Sequence, residues 1–494
     1  MDGAARDGLT PAAVTLDAAA LEEARLGFHR RFQQRSAKRT FTWLQLFAFA
    51  LLGVGLVMAV RAAPLRTLTV FTTAAWFIFA AAIALRLFAA AHLKRVLSRL
   101  AAPARWPTYT ILCPLYREAN VVFDLVASLD RLDYPREALD IKLLIEADDA
   151  DTLAMALAAV REPHIEIVLV PAAKPRTKPK ALNAGLARAR GEYVVVYDAE
   201  DRPHPQQLRA ALAAFEDSDE KLACVQAPLE IDNQDASWIA RQFAAEYAIL
   251  FGEILPLLAR IGAPLPLGGS SNHFRTDALR ACGGWDPFNV TEDADLGYRL
   301  ARDGYRSDVI GPPTWEEAPV NFAAWLKQRE RWIKGHMQTW LVLMRNPFRT
   351  AREMGAWRFW AMQLVLGGGL LAAFVHGPLA FIVLTAALSP YDLLSQADFA
   401  LALSGYCVGV FSALSAAAIS GNLSHVRAAL TMPAYWPLAT LAAFRALLGL
   451  VFRPHHWAKT QHGVSRRRRS GAPASAAPSQ DAAAQAAPRS AQAN

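Results

Sequence analysis

Cysteine is rare in this chain of 494 residues, and the four present, Cys113, Cys224, Cys282 and Cys407, form no Cys-x-x-Cys pair and no Cys/His ligand spacing. That excludes a zinc ligand set and a disulfide framework, and it fits a reducing compartment for the soluble part. Charge is missing from the longest apolar runs: residues 41–60 carry none, and residues 68–92 carry only Arg86. A transporter or channel would mark its pathway with intramembrane charges. Across the apolar segments only Arg86 and Arg445 break the pattern, so that reading is disfavoured. The first run starts too late for a signal peptide, and no small-residue cleavage site follows it.

What is abundant is apolar surface, at 53% of residues, more than an ordinary soluble domain carries. The formal net charge of +8 is concentrated beside the apolar segments and near the C-terminus. Anionic lipid head groups, and not nucleic acid, are the partners this implies.

Five regions follow from composition. Residues 1–40 form an N-terminal segment ending in Arg30, Arg31, Arg35, Lys38 and Arg39. Residues 41–92 form a transmembrane hairpin, since about 20 apolar residues span a bilayer. Basic residues flank it on both sides, with Lys94, Arg95, Arg99 and Arg105 following, which places both flanks in the cytoplasm. Residues 105–345 alternate short β-type runs (109–112, 141–145, 165–170, 193–197) with Ala-rich helical stretches, the pattern of βαβ units and a mostly parallel sheet. Apolar segments resume over 357–452 as three to four spans, four if the chain breaks at His376-Gly377-Pro378. Residues 430–452, holding Pro433, Pro437 and Arg445, could instead form a re-entrant or interfacial helix. Residues 453–494 open with basic residues and become a disordered cytoplasmic tail rich in Ala, Pro, Ser and Gln.

Carboxylates that follow apolar strands carry the first functional signal, because open α/β sheets bind ligands at the carboxyl ends of their strands. Glu146-Ala147-Asp148-Asp149 closes one such run and Asp198-Ala199-Glu200-Asp201 another; Thr291-Glu292-Asp293-Ala294-Asp295 precedes a helix from Leu296. Any one cluster could be a solvated turn or a helix cap; three in one domain point to a site. Asp198 with Glu200 suits Mg²⁺ or Mn²⁺, which would neutralise a departing diphosphate, with Asp201 as a substitute ligand. Asp293 is the candidate general base that takes a proton from an attacking hydroxyl.

In this order, and between apolar spans, these residues resemble the processive family 2 glycosyltransferases, the group of cellulose, hyaluronan and chitin synthases. The stretch from Cys113 to Asn120 is similar to that family's opening strand and loop. Asp148 and Asp149 resemble its uridine-holding pair, Lys178 its nucleotide-contacting lysine, and Asp198-Ala199-Glu200 its Asp-x-Asp, with Glu200 in place of the second Asp. Thr291-Glu292-Asp293 resembles the Thr-Glu-Asp that carries the base, with Glu292 beside it in the catalytic pair, and Gln328-Arg329-Glu330-Arg331-Trp332 resembles Gln-x-x-Arg-Trp. There Gln328 and Arg331 would meet the diphosphate and Trp332 would stack on the acceptor sugar. The loop Gly268 to His273 is similar to the acceptor loop, with Ser270 and Asn272 as candidate contacts, and His455 to Gly463 resembles the loop that closes over bound nucleotide in cellulose synthase.

The resemblance implies a GT-A domain inserted between transmembrane helices. It also implies inverting, metal-dependent transfer from a nucleotide-sugar such as UDP-glucose to a growing polysaccharide on the cytoplasmic face of the inner membrane. Transfer of one sugar to a polyprenyl phosphate or other lipid is the nearest rival.

Overall fold

The computed structural model describes residues 13–92, 96–389 and 395–457. Lys94, Arg95, the run Arg466 to Arg469, and Thr460 of the expected closing loop lie outside these residues.

The catalytic half is built on an eight-stranded sheet. Its strands are β1 (Ala13–Thr15), β2 (Tyr109–Leu115), β3 (Leu139–Glu146), β4 (Ile165–Val170), β5 (Tyr193–Val196), β6 (Leu222–Gln226), β7 (Asn272–Arg275) and β8 (Arg306–Val309), in the order β1-β4-β3-β2-β5-β7-β6-β8. All pairings are parallel except those of β7, which runs antiparallel between β5 and β6. The central strands are covered on both faces, which is why β2 and β5 read as continuous apolar runs without alternation. In β3 the buried Lys142 is tolerated because its ammonium donates to Asp140 at 2.7 Å and to Glu166 at 2.6 Å.

Two elements differ from the expectation. Part of the N-terminal segment belongs to the catalytic fold: β1 adds to the sheet edge beside β4, and the helix Ala18–Arg31 packs on the helix Lys178–Arg188. Phe28 is buried there beneath the Arg299 guanidinium. A three-residue strand and a mostly polar helix without a clear apolar stripe give little periodicity to read, so composition alone left this segment outside the sheet. Second, the polar run near Gly268 leads straight into β7. Ser271 takes a left-handed backbone (φ 57°) and turns the chain, after which Asn272 and His273 enter the ladder.

Among the described residues five helices are long and apolar enough to cross a membrane: Trp43–Ala62, Pro64–Ala91, Trp238–Arg260, Ala356–Leu388 and Gln396–Ala418. A further pair, Ser424–Tyr435 and Leu438–Phe452, is bent by 57° at Trp436-Pro437. The break expected at His376-Gly377-Pro378 is not made. Pro378 sits inside a helix that continues to Leu388, and the local irregularity lies earlier, as a π-helical turn over Gln363–Gly367. The N–H of Gly377, the residue just before Pro378, donates to Thr440 Oγ1 at 2.8 Å, an example of a neighbouring helix supplying partners near a proline. Trp238–Arg260 was not expected as a span. More than half of it is buried, against the helices that precede and follow residue 420 and the catalytic domain, so its apolarity is that of an interior helix.

Candidate active site

One cavity of 640 Å³ gathers most of the sequence-derived candidates: Lys178, Asp198, Glu200, Glu292, Asp293, Gln328, Arg331 and Trp332 all line it. It extends from the carboxyl ends of the strands to the apolar helices, where Phe79, Ile83, Leu370 and Leu379 continue its wall.

Asp198 follows β5 and Asp293 opens the helix Glu292–Arg302, and the two meet at Gly269. A Cβ on Gly269 would sit 3.4 Å from Asp293 Oδ2 and 3.9 Å from Asp198 Oδ2, so the missing side chain leaves room between two carboxylates. Lys178 reaches the same place: its ammonium pairs with Asp198 and donates to the Gly269 carbonyl at 2.6 Å. Asp293 Oδ1 accepts the Ala294 N–H at 2.7 Å, which fixes the carboxylate and leaves Oδ2 toward Gly269.

The electrostatics follow from burial. Desolvation raises the Asp293 carboxyl above its ordinary value, against the pull of Lys178 and Arg331. Desolvation and then the Asp293 charge push Glu292 up to about 7. Burial alone would favour a neutral Lys178, but Asp198, Glu292 and Asp293 outweigh it and hold the ammonium charged.

Gln328, Arg331 and Trp332 share one face of the helix Phe322–Leu343, as residues spaced by three and four must. The helix comes close because Gly335 lies against Thr291; a Cβ there would fall 2.2 Å from Thr291 Oγ1. Trp332 stacks on Tyr247 (6.2 Å between centroids, 11° between planes) beneath Arg329, whose guanidinium is 4.8 Å from its centroid. Arg331 donates to the Val290 carbonyl at 3.3 Å and lies 5.8 Å from the ring of Trp457, which also lines the cavity.

Other candidates fall elsewhere. Asp201 is buried and its Oδ2 accepts the Asp198 N–H at 2.8 Å; the turn, and not the cavity, takes it. Burial, then the charges of Asp198 and Glu200, raise its carboxyl well above the ordinary value. Asp149 caps the helix Ala150–Ala159 and accepts from the Arg117 N–H, holding that residue at φ 55°. Asp148 is exposed and paired with Arg176 at 2.6 Å, beside Tyr116. Ser270 and Asn272 are buried and do not line the cavity; Asn272 Nδ2 donates to the Gly268 carbonyl at 2.7 Å and steadies the loop. The loop therefore presents backbone at Gly268 and Gly269 to the cavity.

Sequence reasoning placed Gly269 in the loop but not between the two carboxylates, and it missed Tyr247, Arg176, and the ion pair of Glu246 with Arg329. It also missed the contrast between Lys178 and Lys180. Lys180 is fully buried, pairs with Glu146 at 2.8 Å, and belongs to the core. Among the described residues no three His, Cys, Asp or Glu side chains gather as a metal cage.

Residues 107–335 match a family model described as "Glycosyltransferase like family 2". The chain is 27% identical over 269 residues to a β-monoglucosyldiacylglycerol synthase of Trichormus variabilis, covering 53% of this chain and 55% of that protein. It is 27% identical over 249 residues to a poly-β-1,6-N-acetyl-D-glucosamine synthase of Staphylococcus aureus, covering 49% and 57%. The chain thus spans less than two thirds of the length of these curated relatives. Among solved structures, a mannosyltransferase from Pyrobaculum calidifontis in complex with GDP-Man and Mn²⁺ is similar at 19% identity and a TM-score of 0.46, over 76% of this chain and 99% of that one. With the βαβ sheet and the carboxylates at its strand ends, the match identifies residues 107–335 as a glycosyltransferase family 2 domain.

Proposed function

We propose that this chain is an inverting glycosyltransferase that moves a sugar from a nucleoside diphosphate, UDP-glucose or a relative of it, to the hydroxyl end of a growing polysaccharide at the inner membrane, on its cytoplasmic face. The convergence of Lys178, Asp198 and Asp293 on the space beside Gly269, in one cavity with Trp332, carries this reading.

The acceptor sugar lies on the Trp332 face. Asp293 Oδ2 takes the proton of its hydroxyl, and the oxygen attacks the anomeric carbon from the side opposite the diphosphate. As the new C–O bond forms, the bond to the diphosphate breaks and the leaving group departs with the electron pair. Lys178 and Arg331 provide positive charge where it departs. Tyr116 and Arg176 line the end of the cavity where the nucleoside would lie, and Asp148 pairs with Arg176 outside it.

Asp198 and Glu200 fit a divalent cation: both line the cavity, neither is fully buried, and carboxylate oxygens are the donors Mg²⁺ and Mn²⁺ prefer, with diphosphate oxygens and water completing the shell. Such an ion supplies charge neutralisation to the diphosphate.

The apolar wall of the cavity formed by Phe79, Ile83, Leu370 and Leu379 supports a second reading, in which a lipid presents the acceptor hydroxyl. Labelled nucleotide-sugars offered with Mg²⁺ or Mn²⁺ to the purified chain in nanodiscs, with the product sized, separate the two. A polymer is the expected result; a lipid-linked monosaccharide replaces the first reading with the second, and no transfer from any donor overturns both.

A further inference from the structure

A second cavity of 350 Å³ lies between the helices Phe322–Leu343 and Leu438–Phe452. On the first helix Lys327, Glu330, Arg331 and Lys334 follow at intervals of three and four and so share a face. On the second, Arg445, Gly449 and the capping Arg453 follow at intervals of four and face them, with His456 at the rim. Five Lys and Arg side chains therefore border one small space with a single carboxylate, Glu330.

That carboxylate is engaged, because Arg445 Nε donates to Glu330 Oε2 at 2.9 Å. Lys334 is buried and donates to the carbonyls of Arg453 (3.2 Å) and His456 (2.8 Å), which satisfies its protons without cancelling its charge. Burial, together with the Arg331 charge and against that of Glu330, brings Lys334 down to about 8. Arg331 keeps a buried Nε that has no protein partner. Lys334 is buried and Arg331 half-buried at the floor of the space, with Lys327, Arg445 and Arg453 exposed around its rim; like charges gathered there repel, and an anion in the space would relieve them. Gly449 keeps it open: a Cβ there would lie 3.5 Å from both Glu330 Oε1 and the Lys334 stem.

The neighbouring row of the same helix indicates the source of the anion. Phe444, Leu448 and Phe452 are one position from Arg445, Gly449 and Arg453, and all three are exposed. A helix with a basic groove beside an exposed apolar row is built to lie among lipids, its cations at head-group level.

We propose that this cavity binds the phosphate of an anionic phospholipid, with the acyl chains lying along Phe444, Leu448 and Phe452. The proposal does not depend on which sugar or acceptor the catalytic cavity takes.

The test places the full chain in nanodiscs of phosphatidylcholine, alone or mixed with phosphatidylglycerol, and counts the lipids retained on gentle release by native mass spectrometry. The wild-type chain is expected to retain phosphatidylglycerol selectively. Arg445→Ala/Arg453→Ala and, separately, Gly449→Leu should lower that retention about 10-fold or more. UDP affinity, measured in parallel, reports whether each variant is folded; if the double variant loses UDP binding as well, Gly449→Leu decides. Equal phosphatidylglycerol retention in the wild type and a folded variant overturns the site. Binding of inorganic diphosphate that Arg445→Ala/Arg453→Ala or Gly449→Leu weakens while UDP affinity holds, without selective lipid retention by the wild type, overturns the membrane source and makes the ligand a soluble phosphate.

Discussion

Arg329 closes a two-point ion pair on Glu246, at 2.8 and 2.7 Å, and the same guanidinium caps the ring of Trp332. Tyr435 braces the pair, donating to Glu246 at 3.1 Å. The ring proposed to carry the acceptor sugar is thus held from behind by a charge on another helix, and bidentate geometry gives that hold direction as well as strength. Glu246→Gln should keep the fold and loosen the ring. The acceptor KM is expected to rise about 10-fold, the equivalent of about 1.4 kcal/mol, with kcat changed far less. A matching fall in kcat with KM unchanged would remove Glu246 from this positioning role.

The raised carboxyls of the Glu292 and Asp293 pair set a pH dependence. A base works as the carboxylate, so turnover is lost as pH falls through the raised value, near 7 for Glu292, and not through the ordinary carboxyl range. Stability runs the other way. Folded Glu292 holds a proton that the unfolded chain has released between about pH 4.5 and 7, and the raised Asp293 acts in the same direction, so the contribution to stability declines as pH rises across that window. A kcat/KM profile for wild type should show the acid limb displaced upward, and Asp293→Asn should abolish turnover while leaving nucleotide affinity largely intact. An acid limb near pH 4, or normal turnover in Asp293→Asn, would contradict the assignment of the base.

Much of this site was legible because its chemistry forces side chains into fixed order along the chain. Strands that end in carboxylates announced Asp198, and the likeness to Gln-x-x-Arg-Trp singled out Gln328, Arg331 and Trp332, which the structure then places on one helix face. What sequence could not show was orientation. Asp148 and Asp149 are adjacent, yet one pairs with Arg176 at the surface and the other caps a helix. Ser270 and Asn272 read as loop residues, but the left-handed turn at Ser271 carries the chain into a ladder and buries both. Pro378 read as a breaker because its effect in isolation is to end a helix; here the helix runs through it. In each case a distant partner decides the outcome, and local pattern carries no record of it.

Lys178 and Lys180 sit two residues apart, one lining the cavity and the other buried in the core, and the proposed function divides their roles accordingly. Lys180 is buried against Glu146, and removing one partner of such a pair strands the other charge, at a cost of about 3 to 5 kcal/mol. Lys178 faces the cavity with solvent and substrate as alternatives for Asp198. Lys180→Met should lower the melting temperature sharply. Lys178→Met should leave it within a few degrees of wild type and weaken nucleotide diphosphate binding by at least about 10-fold. Thermal unfolding and UDP titration on both variants check the division, and the reverse pattern would exchange the two roles.

Two glycines make the same contrast with the smallest possible change. At Gly335 an added methyl would fall 2.2 Å from Thr291 Oγ1 and 2.6 Å from Thr291 Cγ2, inside a buried contact with no flexible end to yield. Gly335→Ala must push the helix of Arg331 and Trp332 off the start of the helix that carries Asp293. Overpacking of this kind costs about 1 to 3 kcal/mol, so both stability and turnover should fall. At Gly269 the backbone lies outside the left-handed region, and the new methyl would meet Asp293 Oδ2 at 3.4 Å and Asp198 Oδ2 at 3.9 Å, ordinary contact distances. Gly269→Ala is therefore expected to fold as wild type does while filling the space between the two carboxylates. Its turnover should drop about 100-fold or more with an unchanged melting temperature, because a displacement of about 1 Å at the reacting centre costs that much. Wild-type turnover in Gly269→Ala would mean that the reacting sugar does not pass beside Gly269, and the roles given to Lys178, Asp198 and Asp293 would lose their common centre.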